Sequence, residues 1–417
     1  MVKLIKNPIE LLNPNCFDIG AKIGFAWRYL NNIQDPWGEQ MYLHHLKVWN
    51  GLHELNPHRK GAQAYLDNFK HILDSVKAKT FDFEKSPIPV NSQGKLINGR
   101  HRLAAAIMQG CPVMVKEMPD SAGQEVCDYQ YLVSKKDTHP AGLDPDFSNE
   151  MAIEYAAVSG QCYIATVFFQ HNPEDILRVL RQFGRPVYWR QIPLERDAAF
   201  NLMRELYWGE EWLRDWHSSF SGAREKAQLA LSSSNSIGVY MFECNNLNLV
   251  IECKRTLRRL FKGSQHSLHI NDTQLQTWAT SRILFNKSSI HFLNRSHFQK
   301  YSRFEGLFGQ FNKYMAGFKG MYCVDGSAVM SAYGLRECQD LDYLDKNSME
   351  CDISDINLHN SELKWHTSAL DQLIFNPTKH FWHSRSKFLT PGALSEMKRK
   401  RNEPKDQKDL QLLETVK

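Results

Sequence analysis

No stretch of the 417-residue chain is apolar for long enough to cross a bilayer, which takes about 20 residues as a helix. The opening Met-Val-Lys-Leu-Ile-Lys-Asn-Pro lacks the apolar core of a secretory signal, so export is not expected. Cysteine is present but unorganised: nine thiols, an odd number, with no Cys-x-x-Cys among them. Such a set argues against a disulfide framework and suits a reducing compartment. A large excess of one charge is also missing. Lys and Arg number 51 against 46 Asp and Glu, a net +5, without the dense basic face of a nucleic-acid binder. That balance admits a phosphate-bearing substrate without demanding a polyanion. There is no internal repeat and no low-complexity segment. Lys262-Gly263-Ser264 lacks the upstream glycine spacing of a phosphate loop, and His266 and His269 have no third ligand nearby. The expectation is a cytoplasmic protein without a membrane segment.

What is present suits a multidomain α/β (α+β) protein. Apolar content of 42% and charged content of 23% are ordinary for globular chains, and the length suits two or three domains. Changes of pattern divide the chain into a first unit at 1–133, a Pro- and Asp-rich linker at 134–150, an α/β unit at 151–298 and a last unit at 299–417.

In the first unit the spacing predicts helices over Ile19–Leu30, Met41–Leu55 and Ala62–Lys77. Ile88-Pro89-Val90 then reads as a short strand, Asn91 to Gly94 as a turn, and Lys95-Leu96-Ile97 as a returning strand. Asn98-Gly99-Arg100-His101-Arg102 leads into a helix over Leu103–Met108, followed by a strand at Val113–Val115. A glycine turn with basic residues at a helix start is a natural anion site. This stretch resembles the ParB/sulfiredoxin-like fold, in which a Gly-x-His-Arg turn cradles nucleotide phosphates. The resemblance implies nucleotide binding by Asn98, Gly99, Arg100, His101 and Arg102. It also raises ATP-dependent phosphorylation of a small alcohol, as in free-serine kinases, with Glu54 or Glu39 as the base. Arg100 stands where sulfiredoxins carry their cysteine, which disfavours sulfinic-acid repair. No helix-turn-helix follows, which disfavours ParB-type DNA binding. The alternative is a turn that His101 and Arg102 merely brace.

The second unit alternates strand-like Tyr163–Phe169, Pro186–Ile192 and Gly238–Phe242 with helical Pro173–Phe183, Asp197–Arg214 and Leu247–Leu260. Trp208, Trp212 and Trp216 fall nearly on one helical face and read as packing residues. His266 to Thr273 alternates like a strand before a helix that starts at Gln274.

The last unit carries the most chemistry. Gly326-Ser327 forms a small-residue turn, a helical segment follows, and Asp340-Leu341-Asp342 closes it. On a strand, residues i and i+2 share a face, so both carboxylates would aim at one point. A hard divalent cation such as Mg²⁺ would relieve their repulsion. The spacing resembles the signature of the polymerase-β-type nucleotidyltransferases, with Asp325 standing where that family has an apolar residue. The resemblance implies that Asp340, Asp342 and a third carboxylate hold Mg²⁺, while Gly326 and Ser327 grip the triphosphate of ATP or another NTP. Asp371, in an apolar context, is our choice for the third carboxylate; Glu362 and Asp352 compete. Farther on, Pro404-Lys405-Asp406 and Asp409-Leu410 resemble the Arg-Pro-Lys-Asp element of small-molecule nucleotidyltransferases. Glu403 occupies the arginine position, so Arg401 would supply that charge, Lys405 would steady the substrate and Asp406 would cap the last helix. Together these readings imply Mg-dependent nucleotidyl transfer from an NTP to a small acceptor. Growth arrest on expression, relieved by Asp340→Ala, would instead mark a toxin acting on tRNA or protein, and salt-dependent duplex binding a DNA-associated regulator.

Overall fold

The computed structural model describes residues 2–55, 58–119, 126–135, 142–195, 198–215, 217–231, 235–297, 301–317 and 320–416. It is a mixed α/β architecture with four sheets.

The N-terminal part contains β1 (Val2–Ile5), α1 (Ile19–Leu30), α2 (Trp37–Asn50), β2 (His53–Leu55), β3 (His58–Lys60), α3 (Ala62–Lys77), β4 (Ile88–Val90), α4 (Arg100–Gln109), β5 (Val113–Glu117) and α5 (Tyr129–Ser134). Strands β1, β5 and β4 form one sheet in that order, and β2 pairs with β3. The second helix stops short of Leu55, because Gly51 takes the left-handed φ of +64° and closes α2. Leu96 makes only a single bridge to Val90, so Lys95–Ile97 is not the strand its composition suggests.

The middle part contains α6 (Pro145–Val158), β6 (Cys162–Val167), α7 (Pro173–Phe183), β7 (Arg185–Pro193), α8 (Ala198–Leu206), α9 (Ser221–Leu231), β8 (Ser236–Glu243), α10 (Leu247–Arg259), β9 (Leu268–Ile270), α11 (Gln274–Leu284) and α12 (Lys287–Arg295). Its sheet runs β7-β8-β6-β9, antiparallel throughout, with β6 buried on both faces. Helix α7 forms where its spacing places it: Asn172 caps the Glu174 N–H, and Ile176, Leu177, Val179 and Leu180 supply the buried face. Trp212 is 42% exposed, so it does not pack in the core; it lies in a short 3₁₀ turn after α8 ends. Asp197 and Trp216 lie outside the described residues.

The C-terminal part contains α13 (Ser302–Met315), β10 (Tyr322–Asp325), α14 (Gly326–Ala332), β11 (Leu341–Asp345), β12 (Ile356–Leu358), α15 (Leu370–Phe375), β13 (His380–His383), β14 (Ser386–Leu389), α16 (Pro391–Arg401) and α17 (Pro404–Glu414). These strands form one mixed sheet, ordered β12-β11-β10-β14-β13. Among the described residues, no helix is long and apolar enough to cross a membrane.

The expected linker is in large part a helix. Its residues 136–141 lie outside the described set, but α6 begins at Pro145 and runs through the supposed boundary. The Asp and Pro that suggested a loop are a helix start: Asp144 accepts from the Asp146 and Phe147 N–H groups, and Pro145 takes the first helical position. Helix α6 then packs on α1 so closely that a Cβ at Gly20 would overlap the Met151 carbonyl. One hydrophobic core consequently runs through the N-terminal and middle parts, joining Phe25, Tyr42 and Leu103 to Met151, Ile164 and Leu202.

Arg28 completes this junction. Its buried guanidinium faces Asp35, Glu150 and Glu154 at 3.6, 3.2 and 3.1 Å and donates to the Phe375 carbonyl at 3.2 Å. It therefore ties α1 to α6 and to the C-terminal part. Replacing Arg28 with Met would leave these carboxylates without their buried counter-charge. We expect a loss of about 3–5 kcal/mol, read as a lowered urea midpoint.

Candidate functional site

Strand β10 delivers Asp325, fully buried, to the edge of a turn. Gly326 takes φ +64° there and opens α14. Strand β11 returns antiparallel and sets Asp342 directly opposite Asp325. A Cβ at Gly326 would lie 2.6 Å from Asp342 Oδ2, so both its backbone conformation and this contact call for glycine. Asp340 sits half-buried in the bend just before β11. The structure thus brings Gly326, Ser327, Asp340 and Asp342 into one locality.

The acids there are unequally compensated. Burial raises the Asp342 carboxyl to about 6; His359 opposes this, while Asp340 and Asp325 add to it. Burial also works against charge on Asp325, yet hydrogen bonds from His359 and His366 hold it far below the usual carboxylate range. His359 Nδ1 and His366 Nε2 lie 3.0 and 3.1 Å from Asp325 Oδ2. Asp325 Oδ1 is buried with no hydrogen-bond partner. Burial disfavours charge on His359, but Asp325, followed by Asp342 and Glu362, outweighs it and raises its pKa. Neither His359, His366 nor the structural weight of Asp325 was anticipated from the sequence. The one signal was Asp325 itself, an acid at an apolar position.

The remaining candidates fall elsewhere. Asp371 lies on α15 rather than on a strand, and its carboxylate accepts from Lys346 Nζ at 2.7 Å and from the Gln34 N–H at 2.6 Å. Local helix-start chemistry decides this: Gln372 reaches back to the Ala369 N–H, turning an apolar run into a helix. Asp352 is exposed, and Glu362 pairs with Lys364. The position beside Asp342 on the next strand is Asn357, whose side chain hydrogen-bonds Asp342. Arg401 donates to both oxygens of Asp406, while Lys405 is 67% exposed and paired with Glu403. Asp406 accepts from the Glu403 N–H and so caps α17 as expected. Lys398 reaches both Asp406 and Asp409, and Arg336 chelates Asp409, which fastens the α16–α17 pair to the segment between α14 and β11.

In the N-terminal turn, Gly99 has φ +91° and α4 starts without a side-chain cap. The basic side chains turn inward, however. Arg100 is buried against Asp18, and Arg102 donates to Ser86 and to the Pro87 carbonyl. His101 packs edge-on against Phe69, 2.9 Å from the Tyr42 hydroxyl, and burial keeps it neutral. Asn98 accepts from the adjoining Gly99 N–H. Glu54 on β2 pairs with Arg59 at 2.8 Å; burial raises its pKa. The Lys22 charge acts on Glu54 and His101 alike, which puts the hairpin within electrostatic reach of the turn.

Comparison of the chain with protein-family models, curated proteins and solved structures returns no match. The chemistry must be argued from the residues alone. For Mg²⁺, the donors fit in part: Asp340 and Asp342 supply hard oxygens, although burial favours the protonated form of Asp342. Among the described residues, no group of three or more His, Cys, Asp or Glu is arranged to hold a metal. Mg²⁺ commonly binds through one or two carboxylates together with substrate phosphates, so two donors meet that need.

Because the folded pKa of Asp342 lies above its unfolded value, its ionisation costs stability as pH rises between the two, and the full cost applies above about 6. Asp342→Asn should therefore leave stability nearly unchanged near pH 4. At pH 7.5 it should stabilise by about 1–2 kcal/mol, a figure reduced for the group's partial solvent contact. Urea titrations at the two pH values check this.

Proposed function

We propose that the C-terminal part catalyses Mg-dependent transfer of a nucleotidyl group from an NTP to a small acceptor. The observation that carries this reading is the seating of the Asp342 carboxylate against Gly326, the residue whose close backbone approach suits a phosphate. Asp340 and Asp342 would hold the ion through their carboxylates. Bound there, Mg²⁺ would supply charge neutralisation for an attack at phosphorus.

The chain's own residues then divide the work. Gly326 lets its backbone lie against the Asp342 carboxylate, and the Ser327 hydroxyl would be a donor to phosphate oxygens there. Asp325 holds His359 and His366 in place behind Asp342. Asp325 and Asp342 raise the His359 pKa, so its protonated form offsets part of the negative charge at this end of the sheet. An acceptor hydroxyl attacks the α-phosphorus in line and gives up its proton to solvent, a P–O bond forms to it, and pyrophosphate leaves with the electron pair of the broken bond. Positioning and charge stabilisation carry most of such a rate enhancement. Arg100, His101 and Arg102 make their contacts inside the fold, so we assign no chemistry to the N-terminal turn.

Calorimetric titration of the full chain with ATP and with CTP, in the presence of Mg²⁺, tests the proposal. We expect one nucleotide to bind, Asp342→Ala to weaken it at least about 10-fold through loss of a charged ligand, and His101→Ala to leave it unchanged. Equal binding by Asp342→Ala, or none by the wild type, would overturn the reading.

A further inference from the structure

A cavity of about 280 Å³ opens where the three parts of the chain meet, bounded by α1, α6, α11, α15 and the β13–β14 hairpin. None of the residues around Asp325 and Asp342 lines it. Its walls carry five charged side chains: Arg28, Glu150, Glu154, Arg282 and Lys387. Most are already matched. Arg28 pairs with Glu150 and Glu154 while also facing Asp35, and Lys387 donates to the carbonyls of Gly320 and Ile374.

Arg282 is different. Its guanidinium carbon lies 3.2 Å from the Trp278 ring centre and 3.9 Å from that of Trp382, a double cation–π contact. Among the described residues no carboxylate, carbonyl or hydroxyl accepts a hydrogen bond from it, and it lines the cavity. Burial pulls its pKa down to about 9, with Glu154 and Glu150 opposing, which still leaves it charged at neutral pH. Glu154 and Glu150 thus supply counter-charge at a distance, but no protein acceptor receives the Arg282 N–H groups.

We propose that this cavity binds a small monoanionic organic acid, whose planar carboxylate pairs with the N–H edge of Arg282 while its apolar body rests on Trp27, Ile153 and Phe375. The planar fork of a guanidinium matches a carboxylate with two parallel hydrogen bonds. A carboxylate would supply the hydrogen-bond acceptors that Arg282 lacks while adding only one negative charge. A phosphate dianion would bring a second charge toward Glu150 and Glu154 in the same space. The volume, just under the ~300–1,000 Å³ range of drug-sized sites, calls for a small occupant. The junction of separate parts is also where such sites recur.

Three tryptophans in the wall make the test optical. The full-length protein is titrated with benzoate, butyrate, inorganic phosphate and chloride at matched ionic strength, and tryptophan fluorescence is followed. We expect a saturable change with at least one carboxylate, a weaker one with phosphate and none with chloride. Arg282→Gln should weaken carboxylate binding about 10- to 100-fold, the cost of losing a charge-assisted pair. Arg282→Lys, which keeps the charge but not the fork, should fall between and serves if the Gln variant does not fold. Absence of saturation with both carboxylates, an unchanged affinity in Arg282→Lys, or a preference for phosphate would each overturn the assignment. Because Asp342 is remote from these contacts, Asp342→Ala should bind the carboxylate normally, which separates this proposal from the nucleotide reading.

Discussion

The structure depends on one buried guanidinium. Arg28 stands on the first long helix, yet its partners come from its own loop, from α6 and from the C-terminal part. A buried cation must be matched by charge and by hydrogen-bond acceptors, and here three carboxylates and the carbonyls of Gly24 and Phe375 share that task. Close helix contact at Gly20 makes this geometry reachable, because only a hydrogen side chain lets α1 approach the α6 backbone. The three parts of the chain are thereby locked in a fixed relation. The cavity beside Arg28 is a consequence, since polar groups gathered at a junction cannot all pack as apolar side chains do.

The second centre of charge, around Asp325 and Asp342, follows a different logic. Two acids face each other across an antiparallel pair, which is destabilising unless something answers them. Asp325 is answered inside the protein by His359 and His366. Asp342 is answered only in part, by His359 and Asn357, and its carboxyl holds its proton more tightly than usual. That asymmetry is what singles out Asp342 and its neighbour Asp340 as the acids with capacity left for a ligand.

Several residues with functional-looking patterns serve the fold instead. Arg401, Asp406 and Asp409 join with Lys398 and Arg336 in an ion-pair network that secures the last two helices. Arg100 and Arg102 likewise satisfy buried acceptors around the glycine turn. A short motif specifies which groups are available, but whether they face a ligand or a neighbour depends on elements far away in the chain.

Local signals were legible where one segment decides its own shape. The helices Ile19–Leu30, Ala62–Lys77 and Pro173–Phe183 are found at the limits their apolar spacing predicts, and the Gly326-Ser327 turn joins strand to helix. The pairing of Asp325 with Asp342 lay outside that reach, because antiparallel register is set by contacts between strands. So did the fate of Asp371, whose partners Lys346 and Gln34 come from other parts of the chain. The supposed linker misled because Asp and Pro suit a helix start as well as a loop, and only packing against α1 chooses between them. By itself the sequence determined periodicity, caps and the spacing of two acids at the entry to a strand, since these rest on neighbours within a few positions; that Asp340 falls in the bend before β11 was not foreseen. Tertiary structure alone decided which charges are matched and which are left open, because matching a charge requires bringing together groups hundreds of residues apart.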